Sequence, residues 1–224
     1  MLFRHKFELA ERFCLGKVVL DLGCVGRLEM VGEPEWLHRR IAEVSDYVLG
    51  VDENRSGIVK MRSLGYFAVE RNVQNLGVLG SEGFEVVYAS ALIEHLTNFD
   101  GFFRSVKNNL KEDGRLVLVT QNVHFILRGM KILLRERTSS PDHTCWFDVE
   151  TLSKLLVLCG FEVVEVRFLK VEGLADIWNE VRHFRSLRAL GGRVLTLVVE
   201  TVIPGELGRG DLVVVAKRRL GNEA

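Results

Sequence analysis

The chain has 224 residues, 47% of them hydrophobic and 27% charged, and its 30 Lys+Arg balance 30 Asp+Glu. This is ordinary globular usage and excludes a disordered or fibrous chain. The neutral total supplies no global field for a polyanion, which argues against a nucleic-acid partner.

In chain order, residues 1–12 carry Arg4, His5, Lys6, Glu8, Glu11 and Arg12, so no export leader is expected there. Short β-branched runs then alternate with longer amphipathic stretches, the pattern of an α/β protein with a mostly parallel sheet. Strands are predicted over 17–21, 47–52, 66–70, 84–89, 115–120, 161–169 and 211–217, seven in all. Helices are predicted over 35–44, 56–64, 99–110 and 149–159. Asp148 would be the N-cap of the last helix and Gly160 its terminating glycine. Residues 110–114 read as a helix stop and turn into the fifth strand. Cys14, Cys24, Cys145 and Cys159 form no C-x-x-C pair and no zinc spacing. They are expected to be reduced thiols of a cytoplasmic protein without a metal. No run approaches about 20 apolar residues, so no membrane span is expected, while peripheral membrane contact stays open.

In an open parallel sheet, ligands bind beyond the carboxyl ends of the strands, near the reversal of strand order. The first strand ends in Asp21-Leu22-Gly23-Cys24-Val25-Gly26, where glycines let the backbone approach a ligand closely. The second ends in Asp52-Glu53, an acidic site able to accept both hydroxyl protons of a ribose. The third runs into Asn72-Val73 and the fourth into Ser90-Ala91. Each piece alone reads equally well as a turn or a cap. In order, at successive strand ends, they point to a nucleoside-type cofactor. The dinucleotide fingerprint G-x-G-x-x-G is incomplete, so the pyrophosphate signal is poor.

These residues resemble the class I S-adenosylmethionine-dependent methyltransferases. Residues 18–24 (VVLDLGC) are similar to that family's first motif and 49–52 (LGVD) to its ribose-binding acidic motif. Residues 90–96 (SALIEHL) and 110–119 (LKEDGRLVLV) are similar to its stretches at the fourth and fifth strands. The resemblance runs from about residue 17 to 217. It is closest to the small-molecule and glycan-associated subgroup, with Asn122 after the fifth strand and His143-Thr144-Cys145-Trp146-Phe147 before a helix.

The resemblance implies a Rossmann-like seven-stranded sheet, mostly parallel with the last strand antiparallel and helices on both faces. It implies one domain over 1–224, elaborated at 27–36, 123–147 and 171–210. It also implies S-adenosylmethionine as cofactor and methyl transfer to a small-molecule or glycan acceptor, at oxygen. Asp21, Gly23, Cys24, Val25 and Gly26 would wrap the methionine end. Asp52, with Glu53 beside it, would hold the ribose. Asn72 and Val73 would lie beside the adenine, and Ser90 and Ala91 would close the pocket. Val25 and Arg27 stand where the commonest first motif has glycines, and Asn72 where an acid is common. Val25 would narrow the room near the cofactor's amino-acid end.

A hydroxyl acceptor needs a base, and imidazole titrates near neutrality. His95 and His143 are the candidates. Asn122, His124 and Trp146 are candidate substrate contacts, whereas His5, His38 and His183 read as surface or packing residues. Arg128, Lys131 and Arg135, and separately Arg182, Arg185 and Arg188, fall at helical spacing. Each set is either a solvated face or a site for a phosphorylated or lipid-linked substrate. Two other functions stay open on sequence: a non-catalytic binding protein on the same fold, and a nicotinamide-dependent oxidoreductase. The run 195–203 packs internally or forms a dimer face, so the chain is a monomer or a homodimer.

Overall fold

A computed structural model of the protein describes residues 6–133, 135, 140–169, 201–203 and 205–219. Helix α1 (Lys6–Cys14) precedes strand β1 (Val18–Leu22). There follow α2 (Leu37–Val44), β2 (Tyr47–Asp52), α3 (Arg55–Ser63), β3 (Ala68–Glu70) and β4 (Phe84–Ser90). Then come α4 (Phe99–Asn109), β5 (Leu110–Gln121), α5 (Ile126–Leu133), α6 (Val149–Leu158), β6 (Phe161–Leu169) and β7 (Asp211–Arg218). The strands form one sheet in the order β3-β2-β1-β4-β5-β7-β6. β7 runs antiparallel to both neighbours, and the other pairs are parallel. Chain order reverses between β1 and β4, which fixes where a ligand crevice opens.

Alternation along the strands builds a core on each face. Leu20, Val87, Leu116, Leu118 and Val214 join Phe102, Phe103, Leu152 and Leu156 on one side. Val19, Val86, Val117 and Val213 join Leu9, Ala10 and Ile41 on the other.

The predicted strands and helices are all present, with three departures. β3 begins at Ala68 because Tyr66 instead meets Trp36 edge-on, with ring centroids 5.1 Å apart. β5 begins at Leu110, whose partner is Phe84. The next pair is Val86 with Arg115, so residues 111–114 bulge out of the ladder. Helices α1 and α5 lie where no helix was predicted, and in α1 Leu9, Ala10 and Cys14 are fully buried. The elaboration at 27–36 holds a 3-10 turn, Leu28–Met30. Most of 171–210, including Arg182, Arg185, Arg188 and His183, lies outside the described residues, as does His5. Among the described residues no helix is long and apolar enough to cross a membrane.

Candidate active site

A cavity of about 480 Å³ opens beyond the ends of β1 and β4. Its walls are the 21–27 turn, the start of α2, Ser90-Ala91, and His95 facing Asp142 and His143 from the loop before α6. Such a volume is ordinary for a small-molecule site.

The first wall is a tightly held backbone turn. Gly23 (φ +75°) and Gly26 (φ +56°) take the left-handed conformation that glycine adopts without penalty. A Cβ on Gly26 would meet nothing within 4 Å. Trp36 Nε1 donates to the Cys24 carbonyl at 2.9 Å, and the Val25 N–H donates to Asp52 Oδ2 at 3.0 Å. Asp52 Oδ1 accepts the Asn54 N–H at 2.9 Å, so the β2 carboxylate ties the turn to the start of α3. Val25 lines the cavity. Its side chain is buried against Gly57 of α3, where an added Cβ would lie 2.4 Å from Val25 Cγ1. Gly50 plays the same part for the Cys24 thiol, with a Cβ-to-sulfur distance of 2.7 Å.

At the base of the cavity Asp21, buried at the end of β1, meets His38 Nδ1 at 2.7 Å. Burial pushes the Asp21 carboxyl above its ordinary range, the His38 contact pulls it back, and nearby Asp52 pushes it up again. His38 lines the cavity and its Nε2 has no partner among the described residues. His38 is therefore more than the packing residue expected of it. Its approach to Asp21 depends on how α2 returns over β1, which no local pattern in the sequence announces.

The second wall is stitched from two distant segments. The Thr144 N–H donates to the Glu94 carbonyl at 2.8 Å, and the Thr144 hydroxyl donates to the Leu96 carbonyl at 2.6 Å. This holds the 140–147 loop over the turn Ile93–His95. His95 Nδ1 lies 3.1 Å from Asp142 Oδ2, and the His95 and His143 rings meet edge-on with centroids 4.6 Å apart. The Ser140 hydroxyl, then the Asp142 N–H, and beyond them the two histidines hold the Asp142 carboxyl below its usual range. Behind them Glu94 is 2% exposed. Its Oε2 accepts the Thr120 hydroxyl at 2.9 Å, while Oε1 has no partner among the described residues. Ala91, between the walls, adopts φ +51°. For a residue with a Cβ such a conformation costs on the order of 1–3 kcal/mol and is typical of functional turns.

Of the sequence candidates, Asp21, Gly23, Cys24, Val25, Gly26, Ser90, Ala91, His95 and His143 line this one cavity. Asp52 adjoins it through the Val25 N–H. Glu53 and Asn72 are exposed outside it, and Asn72 caps the next turn by accepting the Gln74 N–H at 2.7 Å. Val73 is buried in the core. Asn122 is 1% exposed and fully engaged. Its amide donates to the Glu206 and Arg209 carbonyls and accepts from the His124 N–H, so it braces the loop and does not line the cavity. His124 lies between Glu206 (3.3 Å) and Asp148 (3.8 Å), and Trp146 lies under the Arg128 guanidinium at 5.7 Å. Neither lines the cavity. Arg128 also donates to the Asn122 carbonyl, which draws it into the fold and away from a purely solvated stripe.

Comparison with known proteins then decides the family. A family model described as "Methyltransferase domain" matches residues 3–166. The chain belongs to this family. It is 28% identical over 117 residues to Ubiquinone biosynthesis O-methyltransferase of Glaesserella parasuis serovar 5, covering 48% of this chain and 46% of that protein. It is 23% identical over 187 residues to the protein of the same name from Bartonella bacilliformis, covering 79% and 71%. The match thus spans about half the length of the first relative.

Among solved structures, an S-adenosylmethionine dependent methyltransferase from Mesorhizobium loti superimposes with TM-score 0.57 at 18% identity, covering 95% of each chain. A SAM dependent methyltransferase from Archaeoglobus fulgidus gives 0.56 at 18% identity, over 95% of this chain and 90% of that one. The [4+2]-cyclase SpnF gives 0.59 at 15% identity, over 96% and 81%. These likenesses show the class I methyltransferase fold. With the family match they imply S-adenosylmethionine as the cofactor.

The site's chemistry fits that cofactor at its methionine end. The 23–26 turn presents bare backbone, the buried Asp21 carboxylate offers acceptors to an ammonium group, and His38 Nε2 is unspent. Toward the ribose, each Asp52 oxygen accepts one backbone N–H and keeps a second lone pair.

Proposed function

We propose that this methyltransferase methylates a hydroxyl oxygen of a small molecule. The observation that carries the reading is one cavity with two chemically different walls: a glycine turn with Asp21 on one side, and His95, His143 and Asp142 on the other. S-adenosylmethionine supplies a methyl already activated by its sulfonium. The protein's share is alignment, which in favourable cases is worth ~7–11 kcal/mol, and activation of the acceptor. The 23–26 turn, Asp21, Asp52 and Ser90-Ala91 hold the cofactor. His95 and His143 face the acceptor and activate its hydroxyl, with Asp142 orienting His95. The name shared by both relatives supports oxygen as the atom modified. We take residues 1–224 as a single such domain. All four cysteines are free thiols, which suits the cytoplasm.

Titration calorimetry with S-adenosylmethionine, S-adenosylhomocysteine and NAD tests the reading. One-to-one binding of the first two and none of NAD is expected, together with methylation of phenolic acceptors. Binding of NAD alone would overturn it. Cofactor binding without turnover on any hydroxyl acceptor would leave a binding protein on this fold, a role fold alone allows.

A further inference from the structure

We infer that Glu94, His95 and His143 form a binding site for a divalent transition-metal ion of the zinc class. One ligand atom from each lies within 4.8 Å of the others. Ligands on a single ion with bonds of ~2.0–2.2 Å sit roughly 3.4–4.2 Å apart, so small side-chain rotations close the set. The three residue types are those of an open site, two histidines and one carboxylate, which keeps a coordination position for water or substrate.

Two further observations point to a ligand. Glu94 is almost wholly buried, yet Oε1 has no partner among the described residues; His143 Nδ1 is likewise buried without one among them. A buried polar atom left unsatisfied costs about 1–3 kcal/mol, more when charged, and bound metal removes that cost for both. The surroundings also have the form of a metal site's outer shell. Thr120 holds one Glu94 oxygen and leaves the other free. Asp142 takes His95 Nδ1, which leaves Nε2 as the nitrogen available to bind. Glu94 and His95 are adjacent in sequence and His143 is 48 residues away, so cysteine and histidine spacing gave no hint of the set.

His95 and His143 then act on the acceptor through the ion. It draws the acceptor oxygen into its open position and lowers the hydroxyl's pKa, with the proton leaving to solvent. This role rests on reading the cavity as the methyl-transfer site; occupancy of the metal site does not.

The test uses the full chain after chelator treatment, without S-adenosylmethionine. Zn²⁺ calorimetry should show one site per chain, and Co²⁺ should develop the visible absorption of a His-ligated ion. Glu94→Gln and His143→Asn should each weaken binding more than ~100-fold, and Asp142→Asn by ~10–100-fold as an outer-shell change. His124→Ala, beside Asp148 and Glu206, should leave it unchanged. Absence of a one-to-one site in the wild type, or wild-type affinity in Glu94→Gln, overturns the inference. If Glu94→Gln fails to fold, His143→Asn in the surface loop carries the same test. Catechol should shift the Co²⁺ spectrum by entering the open position; an unmoved spectrum overturns the acceptor role. Loss of the reading above would show instead as failed S-adenosylmethionine binding with the metal still held.

Discussion

Val25 takes a place where the commonest first motif has a glycine, and the compensation lies in another element. Its methyls occupy the space that a Cβ on Gly57 would fill, 2.4 and 2.5 Å from Cγ1 and Cγ2. Gly57→Ala should therefore separate two effects. Alanine in a helix is favoured over glycine by about 1 kcal/mol. The new methyl, however, overlaps Val25 and pushes the turn that Asp52 anchors. We expect S-adenosylmethionine affinity to fall about tenfold, equivalent to ~1.4 kcal/mol. Val25→Ala in the same chain should restore most of it, because contacting residues couple in a double-mutant cycle. Equal affinities in wild type and Gly57→Ala, measured by calorimetry, would show that the turn is not held by this contact.

Among the elements, α6 shows how directly local chemistry sets a boundary. Asp148 accepts the Thr151 N–H at 2.7 Å, and the Asp148 N–H donates to the Thr151 hydroxyl at 3.1 Å, a reciprocal cap. Gly160 closes the other end at φ +79°. Asp148→Ala should cost ~0.5–2 kcal/mol at neutral pH. The Thr151 N–H first, then its hydroxyl, hold the Asp148 carboxyl below its ordinary value. Its contribution is thus full above the unfolded aspartate pKa of about 3.9 and fades as pH falls through the lowered folded value. Denaturant melts of both proteins should converge at acid pH; a gap that persists there would mean packing, not the cap, had been lost.

Both ends of α6 were legible in the sequence because cap and glycine are local signals. The strands were legible for the same reason, since each is a short local run rich in β-branched residues. That the 23–26 turn walls a cavity was legible because crevices in this topology open at strand ends. Helix α1 was not, since its apolar stripe is short and interrupted by charges. His38 meeting Asp21, and His143 meeting His95 and Glu94, were not either. Those contacts are made by chain segments 17 and about 50 residues apart, through folds over the sheet that no local pattern encodes. The bracing contacts of Asn122 were not legible either: its partners, Glu206 and Arg209, come from the far side of the sequence.

For the molecule as a whole, the sheet divides two apolar layers, and the layer that seats α1 contains a polar misfit. Tyr88 of β4 is fully buried there, among residues that include Val19, Ile41 and Val117, and its hydroxyl has no partner among the described residues. A buried hydroxyl without a hydrogen bond costs about 1–3 kcal/mol, and phenylalanine fills nearly the same volume without it. Tyr88→Phe should therefore raise stability by ~1 kcal/mol, a melting shift of roughly 2–4 °C for a chain of this size.

The alkaline limb gives an independent reading. Burial first, then nearby Cys14, Asp21 and Asp211, push the Tyr88 hydroxyl well above the ordinary tyrosine range. The native state thus keeps a proton that the unfolded chain releases near pH 10. The tyrosine's stability relative to its ionised form is full below that pH and is lost as pH climbs toward the raised folded value. The Phe variant has no such loss, so its advantage should widen above pH 10. A variant that melts earlier than wild type at pH 7, or an advantage constant across the alkaline range, would mean that the Tyr88 hydroxyl finds a partner in the native layer between α1 and the sheet.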